Sequence, residues 1–173
     1  CSVQEDMPPK MYELSQARQA YSSAPGAAPM RRMLERHGTR QASPGLDLSG
    51  EERPTAEMTA AAEELDAIRS EQLAWFEQYD LLLCPANTRA ALPVDIETLP
   101  PPPPGPRVPG ISYLGVFNSN GWPAGIVRVG TSDDDAGMPL GIQVVAQPWR
   151  DDVVLAAMAH IERRSGGYRK PSI

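Results

Sequence analysis

At 173 residues, 41% of them hydrophobic, the chain can bury a core of its own, which excludes a wholly disordered polypeptide. A formal net charge of −6, with the 16 basic residues scattered, argues against nucleic acid as a partner, because phosphate binding needs a basic face. No apolar run nears the roughly 20 residues of a membrane-spanning helix, so no membrane partner is expected.

Residues 1–29 are weakly patterned and form a lead segment. Cys1 opens it in place of Met, as the cut end of a fragment, as an amino-terminal nucleophile, or as a lipoprotein thiol. The fragment reading is preferred, because Pro8-Pro9 and the small-residue run 22–28 make no buried leading strand and no signal segment is visible. A helix is expected from Met11 to Tyr21, with Met11, Leu14, Arg18 and Tyr21 on one face, broken by Ser22 to Gly26. A short helix from Met30 to Arg36 stops at Gly38, where His37 suits the negative helix end. Ser43 to Ser49 reads as loop.

The strongest helical period runs from Thr55 to Gln78. Met58, Ala61, Leu65, Ile68, Gln72, Trp75 and Tyr79 fall on one stripe. Gln72 interrupts it and needs a buried hydrogen-bond partner or an exposed rim. Arg69 is a candidate for a charged contact with the rest of the body. Leu81 to Cys84 is a continuous apolar run, expected as a strand covered on both faces and ended by Pro85.

Composition shifts sharply over 86–110. The run Pro100 to Pro106, broken only by Gly105, can make neither helix nor ladder and favours extended polyproline geometry. Ala124 to Gly130 and Leu140 to Ala146 then read as antiparallel strands. Asp133, Asp134 and Asp135 between them lack the alternating ligands of a calcium loop and suit a solvated turn. Asp151-Asp152 opens a last helix, expected to pack through Val153, Leu155, Ala156, Ala159 and Ile161 and to end at Gly166-Gly167.

Cys1 and Cys84, like His37 and His160, lie too far apart for a disulfide framework or a metal-ligand spacing. No metal and no cofactor are expected. Reduced thiols point to a cytoplasmic location.

Four stretches, taken in order, resemble the carboxy-terminal part of the amidase signature hydrolases. Tyr79 to Pro85 is similar to the family's "yDvLl-P" strand. Asn118, Gly121, Pro123 and Ala124 match an Asn-x-x-Gly-x-Pro-Ala turn. Gly137, Pro139, Gly141 and Gln143 match Gly-x-Pro-x-Gly-x-Gln, and Asp151 or Asp152 opens the closing helix. The resemblance covers roughly residues 30–165 and implies an α/β fold, with helices packed on a mixed sheet and a long Pro-rich loop at 86–110. Residues 166–173 would be a tail.

The resemblance also implies hydrolysis of a carboxamide carbon–nitrogen bond by a serine nucleophile, with a second serine in a cis peptide and a lysine relaying the proton. The only lysines here are Lys10 and Lys170, and no Gly/Ser-rich run exists; Ser22-Ser23 lacks flanking glycines. No catalytic residue is therefore expected in this chain. Its partners would be the missing amino-terminal portion of the enzyme and a small-molecule amide, with room for a homodimer.

By the same resemblance, Cys84, Tyr113, Phe117, Asn118 and Trp122 are candidates to line the substrate pocket. The competing reading has the aromatics simply filling the core. Asn118 and Gln143 are further candidates for substrate contact, and Asn120 stands where many relatives carry threonine. Two readings from other classes remain: a noncatalytic module displaying Pro100 to Pro106 to aromatic-lined grooves, and an amidohydrolase using Cys1.

Overall fold

The computed structural model describes residues 2–40, 46, 48–87, 90–91, 113–133, 137–168 and 170. Cys1 and the run Pro100 to Pro106 lie outside the described residues, as does most of the 86–110 loop.

Helix α1 (Met11–Ser23) follows Lys10, which takes a left-handed φ of 54°. It buries Met11, Leu14 and Ala17. The expected stripe drifts by one position: Ala17 turns inward while Arg18 and Tyr21 stay exposed. An arginine keeps its charge hydrated when a small apolar neighbour can take the inward slot. α2 (Ala28–Arg36) carries Pro29 in its first turn and ends at His37, with Gly38 beyond it at φ 61°.

α3 (Thr55–Phe76) starts after an extended Pro54 and has Glu57 in its first turn, where a carboxylate suits the helix dipole. It seals Ala61, Leu65, Ile68, Gln72 and Phe76. The expected stripe ran through Trp75 and Tyr79, but a straight helix of 3.6 residues per turn carries the buried line from Gln72 to Phe76. Trp75 and Tyr79 instead flank that line half-buried.

A correction concerns the stretch before Ala124. The sequence reading opened a turn at Asn118, yet Asn118 sits with Phe117 in α4 (Tyr113–Asn120). The turn begins only at Gly121, whose φ of 68° closes the helix as its N–H donates to the Phe117 carbonyl. Eight residues are too few to display a helical period in sequence, so this helix was not legible there.

Three strands form the sheet: β1 (Leu82–Pro85), β2 (Ala124–Thr131) and β3 (Pro139–Val145), in the order β1-β3-β2 and antiparallel throughout. The two late strands lie side by side as expected. Parallel pairing, anticipated as part of a mixed sheet, does not occur among the described strands. β1 is an edge strand, and Leu83 remains 45% exposed, so the expected cover on both faces is incomplete. An antiparallel sheet can leave one face wet, which a buried parallel sheet cannot.

The sheet separates two cores. On one face Val127 and Val144 pack against Val154 of α5 (Asp151–Ser165). Gly125 is what lets that helix approach, since a Cβ there would overlap the Met158 sulfur. α5 carries Asp151 and Asp152 in its first turn, Arg163 and Arg164 in its last, and ends on Gly166 at φ 86°. It seals only Val154; Leu155, Ala156 and Ala159 are exposed, contrary to expectation, because one sheet face covers only one stripe of the helix. On the other face Val145 joins Met11, Leu14, Leu65, Ile68, Phe76, Val116, Phe117 and Trp122. No helix among the described residues is long and apolar enough to cross a membrane.

Candidate functional site

Register decides which candidates meet. Cys84 of β1 and Ile126 of β2 both lie opposite Gln143 of β3, so their side chains share the face turned toward α4. Gln143 is 2% exposed, and its amide donates from Nε2 to the Cys84 sulfur and to the Tyr113 carbonyl, each at 3.3 Å. This buried amide therefore has two partners within the fold. Burial pushes the Cys84 thiol up, with the Gln143 hydrogen bond working the other way. The thiol stays protonated near neutral pH, so this cysteine lacks the thiolate of an activated nucleophile.

Phe117 and Trp122 stand behind this cluster. They are buried at 2% and 7% exposure, and the Trp122 ring lies 5.1 Å from Phe76 and 6.2 Å from Phe117. Such tilted aromatic pairs contribute about 0.5–1.5 kcal/mol beyond their burial. Asn118 points away on the exposed side of α4 and does not join them. Cys84, Tyr113 and Gln143 are thus in contact, Phe117 and Trp122 back them from the core, and Asn118 stands apart.

Gly141 leaves space that the Ile126 side chain fills, its Cγ2 lying 2.8 Å from where an added Cβ would stand.

Sequence reasoning missed one polar bridge. Gln72 donates to the Pro9 carbonyl at 2.7 Å and accepts from Asn120 Nδ2 at 2.7 Å, joining the lead segment, α3 and the end of α4. Its signal was present in the polar break of the α3 stripe; the partners were not. Beside it, Arg69 pairs with Asp66 at 2.8 Å and donates to the Ser119 carbonyl, so its contact reaches α4. Arg69 Nε and Asn120 Oδ1 are buried without a hydrogen-bond partner among the described residues.

Lys10, Ser22 and Ser23, the residues compared with the family's relay in the sequence, are held in local contacts. Lys10 is ion-paired with Glu71 at 2.6 Å, and that hydrogen bond holds its pKa above the ordinary lysine value. Ser22 and Ser23 donate to the Gln19 and Ala20 carbonyls of their own helix. No group of three potential metal ligands occurs among the described residues.

The fold superposes on a structure described as an amidase with a TM-score of 0.72 at 23% identity, covering 91% of this chain and 36% of that one. It matches a chain of a structure described as a vestigial protein complex that reveals the evolutionary origins of an s-triazine catabolic enzyme, with a TM-score of 0.77 at 21% identity, over 98% of this chain and 38% of the other.

The chain belongs to the amidase family, whose model matches residues 12–155. It is 30% identical over 146 residues to fatty acid amide hydrolase 1 of Caenorhabditis elegans, covering 68% of this chain and 24% of that protein. It is 32% identical over 122 residues to indoleacetamide hydrolase of Bradyrhizobium japonicum, covering 63% and 23% respectively. The chain spans about a quarter of the length of these curated relatives.

Proposed function

We propose that this chain is the carboxy-terminal portion of a serine-dependent amide hydrolase, and that the two serines and the lysine of the proton relay lie upstream of it. One observation carries the reading: the amidase match over residues 12–155 belongs to a chain spanning about a quarter of its curated relatives. Lysine placement supports it. A relay lysine must be able to give up its proton, whereas Glu71 keeps the Lys10 ammonium charged.

In this reading Cys84, Tyr113 and Gln143 form part of the pocket wall, with Phe117 and Trp122 stiffening it from behind. The substrate class is a small carboxamide with an apolar acyl group, in keeping with an apolar wall and with the fatty acid amide and indoleacetamide named for the relatives. Hydrolysis would release the carboxylic acid and ammonia.

The test compares two purified polypeptides on a long-chain fatty acid amide and on indole-3-acetamide: the 173-residue chain, and a longer one translated with the reading frame upstream. Ammonia should be released by the longer polypeptide alone. Efficient turnover by the 173-residue chain would refute the reading. Should that turnover also vanish in Cys1→Ala, the amino-terminal nucleophile would replace it.

A further inference from the structure

Gln72 and Gln143 are the buried polar residues among the described ones, and both act on α4. From the sheet, Gln143 Nε2 donates to the carbonyl of Tyr113, the first residue of that helix, at 3.3 Å. From α3, Gln72 Oε1 accepts from the side chain of Asn120, its last residue, at 2.7 Å. Arg69, about one turn earlier on α3, donates to the Ser119 carbonyl. An eight-residue helix has little stability of its own, so these grips at its two ends decide where α4 lies.

What α4 carries makes its position matter. Tyr113, Phe117 and Asn120 follow one another at helical spacing and lie along one face of it. Beyond Asn120 the chain turns at Gly121 and seats Trp122 against Phe76 and Phe117, and the Pro123 carbonyl then accepts from Ala146 N–H at 3.1 Å. A shift of the Asn120 end therefore moves Phe117 and Trp122 together, the two rings that back Cys84, Tyr113 and Gln143 from the core. The link carries a penalty. Asn120 Oδ1 is buried with no hydrogen-bond partner among the described residues, whereas a leucine there would leave no polar atom unmet. Hydrogen bonds between two amides fix a direction and a distance that apolar contact does not.

We infer, on the hydrolase reading above, that Gln72 and Asn120 are positioning residues for acyl selection. Together they hold the Asn120 end of α4 so that Phe117 and Trp122 set the depth of the pocket wall, and with it the shape of acyl group that the enzyme accepts. The lead segment belongs to the same device, because Gln72 Nε2 donates to the Pro9 carbonyl at 2.7 Å and is thereby held in its own orientation.

The test uses Gln72→Met combined with Asn120→Leu, which keeps the shapes and removes both amides. Apolar replacement of both partners is nearly neutral, so this double variant should melt within about 5 °C of the parent. In the 173-residue chain, alkylation of Cys84, followed on its own peptide, should quicken by about fivefold or more as the wall loosens. In the longer polypeptide, the ratio of KM values for a long-chain fatty acid amide and indole-3-acetamide should shift by about tenfold or more, with each kcat within about twofold of the parent. Asn120→Ala alone, which leaves Gln72 on Pro9, should move both readouts the same way by less, and it decides the matter should the double variant fail to fold. Unchanged alkylation of Cys84, or an unchanged KM ratio, would overturn the assignment. Turnover by the unaltered longer polypeptide with a KM ratio that neither variant moves rejects the positioning pair and spares the hydrolase reading. No turnover by the unaltered longer polypeptide refutes that reading and the role in selection with it.

Discussion

Asp6 shows how a single carboxylate can anchor an otherwise featureless stretch. It accepts hydrogen bonds from the Tyr79 hydroxyl at 2.5 Å, the Met7 N–H at 2.8 Å and the Trp75 indole at 3.0 Å. Tyr79 above all, then Met7 and Trp75, hold its carboxyl below the ordinary 3.8. A lowered carboxyl contributes stability above its unfolded value and loses it as pH falls through the folded one. The Tyr79 hydroxyl is raised above 10.0, chiefly by Asp6, so its share is present below that value and lost as pH rises past it. Asp6→Asn should therefore be less stable than the parent between these limits, with the difference vanishing in acid below the carboxylate range. Denaturation followed by Trp75 emission across pH would show this, and a constant difference down through the acid range would contradict it.

At the scale of elements, α3 hands the chain to β1 through Phe76. Its side chain is fully buried and packs on Trp122 and Trp75, while its carbonyl accepts from Tyr79 N–H and from Gln147 Nε2, both at 3.0 Å. Phe76→Ala keeps those backbone bonds and removes the ring between two indoles, so it should cost about 3–5 kcal/mol in chemical denaturation. A loss under about 1 kcal/mol would mean that the core collapses into the gap. This helix was plain in sequence as a period, but the inward residue at its end was not. Trp75 and Phe76 are both apolar and adjacent; the helical line through Gln72 leads to Phe76, and Trp122 packs against its ring. For β1 the apolar run Leu81 to Cys84 gave the strand, yet its half-open face depends on the neighbours available, which no local pattern encodes.

For the whole molecule, the lead segment behaves as part of the body. Met11, Leu14 and Ala17 enter the same core as Leu65, Ile68 and Val145, and Gln72, fully buried, leans on the Pro9 carbonyl. Lys10 adds an exposed pair with Glu71, a contact of the kind worth about 0–1 kcal/mol. Deleting residues 1–9 would leave the Gln72 donor without its acceptor, a defect of about 1–3 kcal/mol. Calorimetry should then show one cooperative transition shifted to lower temperature; a separate early transition with the main one unmoved would show that the segment melts on its own.

What the sequence determined by itself was local in origin. Helical spacing, apolar runs and Gly/Pro punctuation place four of the helices and all three strands, and the order of short motifs carries the family. The tertiary structure alone decided that 113–120 is helical, that Gln143 reaches Cys84 and Tyr113, and that Asn120 rather than Asn118 turns inward. Those outcomes rest on contacts between residues up to 59 positions apart, whose energies enter only once the chain has closed on itself.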